Sequence, residues 1–127
     1  MRKSIYIDGF SHGNNPVPAG CLFGKLLTTG AIFGTARETG KVPPDEEDQC
    51  RLMFENARRI LEAAGASWAH VAKMTFFLHP EASRPLINKY WVEVFPDVAS
   101  RPARHVIVSQ TLPASMRMQC DMIAVLD

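Results

Sequence analysis

Met116-Arg117-Met118-Gln119-Cys120-Asp121-Met122-Ile123-Ala124-Val125-Leu126 decides the fold. Met116, Met118, Cys120, Met122, Ala124 and Leu126 alternate with Arg117, Gln119, Asp121, Ile123 and Val125, the period of two of a β-strand over residues 116 to 126. The methionine row reads as core. The other row places Gln119 and Asp121 on a sheet face turned away from any helix layer.

Just upstream, Thr111-Leu112-Pro113-Ala114-Ser115 connects to a further strand over residues 104 to 109, introduced by Ser100-Arg101-Pro102-Ala103. Read as a buried strand, this run opens with an arginine, and a buried guanidinium needs an anion, carbonyls or water for its donors. Arg104 sits among β-branched residues, and its rigid fork matches a carboxylate, so a ligand is one candidate partner. An exposed or capping arginine at a strand end is the plainer alternative. Val106 and Val108 share the face of Arg104. If helices cover one side of this sheet, the other side is half apolar and needs cover, which self-association supplies most economically.

The remaining elements follow from local signals. Residues 4 to 7 form a short strand before Asp8-Gly9, and a loop rich in Pro, Gly and Asn runs from Phe10 to Gly20, with His12, Asn14 and Asn15 as its polar tips. Cys21-Leu22-Phe23 and Leu26-Leu27-Thr28-Thr29 flank Gly24-Lys25 as a β-hairpin. Gly30, directly after Thr29, either offers a bare backbone N–H to a ligand or marks a bulge. Asp45 caps a helix with acids in its first turn, a core stripe of Met53, Ala57, Ile60, Leu61 and Ala64, and a stop at Gly65. Arg51, Glu55, Arg58, Arg59 and Glu62 fall mainly on its wet side. Residues 71 to 78 form a strand through the middle of a sheet. Ser83 caps a second helix with Pro85 in its first turn and a stripe of Ile87, Tyr90, Trp91, Val94 and Phe95, and Asn88 lies one position off that stripe. The order β, ββ, α, β, α, ββ predicts an α+β domain spanning 1–127, with a mixed sheet and both helices on one face.

Composition narrows the function. The 127 residues are 46% hydrophobic and 21% charged with a formal net charge of +1, and no block of basic residues suited to tracking phosphates is present, so nucleic acid is not an expected partner. No run is long enough to span a bilayer and the basic start lacks the apolar core of a signal peptide, so the cytoplasm is the expected compartment. Cys21, Cys50 and Cys120 are far apart and read as reduced core thiols, and His12, His70, His79 and His105 are equally scattered, so no metal is expected.

Across nearly the whole chain the motifs resemble the YjgF/RidA (Rid) family. The matching pieces are Leu27-Thr28-Thr29-Gly30, Glu47-Asp48-Gln49, Asn56 with Leu61-Glu62-Ala63-Ala64-Gly65, Val71-Ala72-Lys73-Met74-Thr75-Phe76, Asn88-Lys89-Tyr90, Arg101-Pro102-Ala103-Arg104, and Leu112-Pro113 with Ile123-Ala124-Val125. The resemblance implies a chorismate-mutase-like fold, a barrel-like homotrimer with clefts between subunits, and no metal or organic cofactor. It also implies hydrolysis of 2-imino or enamine acids to 2-oxo acids and ammonia, as by a 2-iminobutanoate/2-iminopropanoate deaminase. By the same resemblance Arg104 takes the carboxylate-binding position, Gly30 the cleft glycine, Thr29 a position usually serine, and Asn88 the family asparagine.

Three positions depart from the archetype: Val17 replaces a tyrosine, Val106 a cysteine and Gln119 a glutamate. A carboxylate exchanges a proton where an amide does not, so Gln119 orients a water without acting as its base. Asp121 is about 6.6 Å further along the strand, too far to replace a glutamate at 119 without a relay. His12, from the loop that carries Val17, is another candidate proton carrier. The expectation is therefore an imine deaminase in which Arg104 anchors the substrate, the Gly30 backbone assists and Gln119 orients water. The alternative is a non-catalytic trimer that binds small imino or oxo acids. An endoribonuclease or translation inhibitor, the family's older labels, finds no support in this near-neutral sequence, which lacks an aromatic-plus-basic platform.

Overall fold

The computed structural model describes residues 1–113 and 115–127; Ala114, in the expected 111–115 connection, lies outside the described residues. The strands are β1 (Arg2–Ile5), β2 (Gly20–Phe23), β3 (Leu26–Thr29), β4 (Val71–Leu78), β5 (Ala103–Val108) and β6 (Met118–Val125). Two helices, α1 (Glu46–Ala63) and α2 (Arg84–Val94), interrupt them, with a 3-10 turn at Trp68–His70 before β4. The first strand starts and ends two residues earlier than residues 4 to 7, because Arg2 to Ile5 pair antiparallel with β2.

The six strands form one mixed sheet in the order β1-β2-β3-β6-β4-β5. Every neighbouring pair is antiparallel except β4–β5, which runs parallel through the α2 crossover. The β2–β3 hairpin turns at Gly24-Lys25, with Gly24 at φ 62°, a conformation that suits a residue without a Cβ.

The period of two in β6 holds: Met118, Cys120, Met122 and Ala124 are buried, whereas Ile123 and Val125 are exposed. Register carries this division across the sheet. Met74, Phe76 and Leu78 of β4 lie against Met122, Cys120 and Met118 on the covered face, and Thr75 and Phe77 lie opposite Asp121 and Gln119 on the open one.

Both helices cover the same face. In α1, Asp45 accepts from the Asp48 N–H and Glu46, Glu47 and Asp48 sit at the positive end of the dipole. The predicted stripe of Met53, Ala57, Ile60, Leu61 and Ala64 is buried, joined by Cys50 and Phe54. In α2, Ile87 and Trp91 are buried, as is Phe95 just after it, with Trp91 edge-on to Phe76 of β4 and beside Phe95. Ser83 precedes α2, but its side chain makes no capping hydrogen bond, contrary to the expectation from sequence.

The open face carries Leu26, Ile107, Ile123 and Val125, each more than 40% exposed, among polar Lys73, Asp121 and Gln119. The half-apolar uncovered surface expected from the sequence is therefore present.

Candidate functional site

Arg101 and Arg104 stand three residues apart and have opposite fates. Arg101 donates from Nε to the Phe95 carbonyl at 2.8 Å, fastening the end of α2 to the start of β5. Arg104 forms no hydrogen bond or ion pair among the described residues. Its guanidinium lies 5.0 Å over the Trp91 ring, an arrangement that holds the plane by cation–π attraction and leaves the N–H edge free for a carboxylate. Burial, then the nearby Arg84 charge, lowers its pKa from the ordinary arginine value. A cation held in this way and left uncompensated is suited to receive an anion.

Contrary to the expectation from sequence, Arg104 does not open a buried strand. β5 pairs only with β4 and forms the sheet edge, and its burial never exceeds intermediate. Arg104 shares the helix-covered side with Val106, opposite Met74 and Phe76. Asn88 is exposed on α2, one turn before Trp91.

The other predicted residues gather elsewhere. Gly30 lies against His12, where an added Cβ would meet the imidazole Cε1 and Nε2 at 3.7 Å. His12 Nε2 is 2.8 Å from the Ala31 carbonyl, which identifies it as the protonated nitrogen, while the buried Nδ1 has no partner among the described residues. The ring stands edge-on to Phe10 and Phe33. Val17 is exposed in the same loop. After Gly30 the chain bridges Ile32 to Cys120, so it runs beside Gln119 and Asp121. Burial pushes the Asp121 carboxyl up from its ordinary value, with Lys73 opposing.

Two details differ from expectation. The Gly30 N–H, anticipated as a ligand donor, donates to the Ala19 carbonyl at 3.1 Å. The Thr29 hydroxyl accepts from the Met122 N–H at 3.0 Å, so it helps hold β3 to β6.

Within one chain the predicted residues therefore fall into two separate groups. Arg104 and Val106 lie on the edge strand β5 on the helix side, whereas Gln119 lies on the open face. Gly30 follows β3, three strand spacings from β5, a separation of about 14 Å. An acid of three or four carbons does not span that distance. A concavity of about 450 Å³ between α1 and the 36–43 segment contains none of these residues, and Arg51 in its lining pairs with Asp48 and Glu55.

Sequence reasoning missed Arg84 and the platform role of Trp91. Positions 84, 88 and 91 share one helix face by spacing, but only the parallel β4–β5 pairing puts that face under Arg104.

The mixed six-stranded sheet with two helices on one face places the chain in a class of α+β proteins. The model described as Endoribonuclease L-PSP, which is that of the YjgF/RidA family, matches residues 17–126, and the chain belongs to this family. It is similar to the reactive intermediate deaminase TdcF of Escherichia coli K12, with 29% identity over 126 residues and 98% of each chain covered. It is also similar to the 2-iminobutanoate/2-iminopropanoate deaminase of the same organism, with 27% identity over 126 residues and 98% coverage of each. The crystal structure of E. coli TdcF with bound serine superposes with a TM-score of 0.86 at 28% identity, covering 98% of this chain and 99% of that one.

Proposed function

We propose that this protein hydrolyses 2-imino or enamine acids to 2-oxo acids and ammonia in clefts between copies of a cytoplasmic homotrimer. The observation that carries the reading is Arg104, held over the Trp91 ring with no carboxylate paired to it among the described residues. The names of the relatives support the reaction class, and the serine bound to TdcF supports a small 2-substituted acid as ligand. The separation of the two groups supports a shared cleft, in which Arg104 of one copy meets the Gly30 and Gln119 region of another.

The substrate carboxylate enters the Arg104 fork and fixes the C=N bond in the cleft. Water held by the Gln119 amide adds to C2, its proton passes to nitrogen, and the carbinolamine collapses with C–N cleavage to leave C=O and free ammonia. The protonated imine carbon is already electrophilic, so the reaction requires neither a metal nor an organic cofactor. Gln119 and Val106 hold no group that gains or loses a proton near neutral pH, which leaves solvent, His12 or, through a relay, Asp121 to move it.

A second reading, a trimer that binds small carboxylates without turning them over, is favoured by Gln119 in the place of a base and by the internal engagement of Thr29 and Gly30. Release of 2-oxo acid from imines generated in situ separates the two, using wild type and Gln119→Glu. Acceleration by wild type supports the deaminase. Acceleration confined to Gln119→Glu supports the binding protein.

A further inference from the structure

We infer that Arg84 is a second anion-binding residue beside Arg104 and that the site takes a dicarboxylic 2-imino or 2-oxo acid. This rests on the reading that Arg104 holds a carboxylate.

The first ground is compensation of charge. Among the described residues Arg37, Arg51, Arg58 and Arg117 pair with carboxylates, and Arg59 and Arg101 donate to backbone oxygens. Arg84 and Arg104 do neither, and Arg2 on β1 is the only other such arginine. The Arg84 charge acts unfavourably on Arg104 and neither is paired with an acid among the described residues, so a bound dianion relieves that repulsion.

The second ground is position. Arg84 is the first residue of α2, four before Asn88 and seven before Trp91, so all three share the helix face that carries the Arg104 platform. Its charge is felt at Arg104, where it adds to burial in depressing that pKa. Arg84 also stands at the positive end of the helix dipole, where a cation is disfavoured. The first turn has no acid to offset it and Ser83 supplies no cap, in contrast to α1 with Asp45 and three acids. A monocarboxylate occupies one fork and leaves the other cation uncompensated. A dicarboxylate fills both.

The test compares 2-oxoglutarate with 2-oxopentanoate, which has the same chain length and lacks the second carboxylate, by calorimetric titration of the wild-type protein, Arg84→Gln and Arg104→Ala. Wild type is expected to bind 2-oxoglutarate at least tenfold more tightly. Arg84→Gln should reduce that preference to less than about threefold, and added salt should reduce it in wild type because Arg84 is exposed. Arg104→Ala should lose both acids. Equal affinity of wild type for the two acids, or a preference that survives Arg84→Gln, overturns the second cation and leaves the anchor standing. Retention of both acids by Arg104→Ala, or no saturable binding of either acid by wild type, overturns the anchor and the inference together.

Discussion

Gln49 shows how a polar side chain becomes part of a core. It is fully buried, and its Nε2 donates to the Pro43 and Ser115 carbonyls at 2.9 Å each while its Oε1 accepts from the Arg117 N–H at 2.8 Å. Gln49→Leu leaves three backbone groups without partners, for a loss of about 2–4 kcal/mol and a Tm lower by roughly 10 °C, measurable by calorimetry. The thiols make a second prediction. Burial, with Glu46 and Glu47 nearby, pushes Cys50 up to about 12, and burial raises fully enclosed Cys120 well above the ordinary thiol. Cys21 is half-buried. In the native protein at pH 8 one thiol is expected to react with a colorimetric disulfide reagent, against three after denaturation. The sequence marked all three cysteines as core, and it marked Gln49 only as part of a motif. Neither reading contained the tertiary partners, since Gln49 reaches Arg117 across 68 positions of sequence.

Helix α1 is tied to α2 by Glu47, which accepts from Lys89 and from the Tyr90 hydroxyl. The Lys89 hydrogen bond is the largest cause that holds the Glu47 carboxyl below its ordinary value, followed by Tyr90. A depressed folded-state pKa means that this contribution is present above the ordinary glutamate value of 4.5 and is lost as pH falls through the folded value. Glu47→Gln should therefore lower Tm slightly at pH 7, and the difference from wild type should vanish in acid. A second test at this scale concerns the platform: Trp91→Leu should weaken oxo-acid binding more than Trp91→Phe, which keeps an aromatic face under Arg104. Strand and helix periodicities were legible because each is local, and Val71–Leu78 falls within the same bounds in sequence and structure. The edge placement of β5 was not, because it depends on the parallel crossover that puts α2 beneath it.

For the whole molecule, the open sheet face with Ile107, Ile123 and Val125 and the placement of Arg104 and Gln119 on opposite faces both bear on the proposed assembly. The account expects a solution mass of three times the 14.1 kDa chain by sedimentation equilibrium, and it expects Ile123→Asp to break the assembly and abolish oxo-acid binding. The sequence signalled that a face needed cover through the mixed row of β6, whereas the placement of Arg104 and Gln119 on opposite faces required the register of β4 with β5 and β6. The most direct test of the Arg104 anchor is kcat/KM for hydrolysis of an imine generated in situ, compared between wild type and Arg104→Ala. The account predicts a fall on the order of 100-fold, the value of one charge-assisted bidentate contact. An unchanged kcat/KM in Arg104→Ala contradicts it.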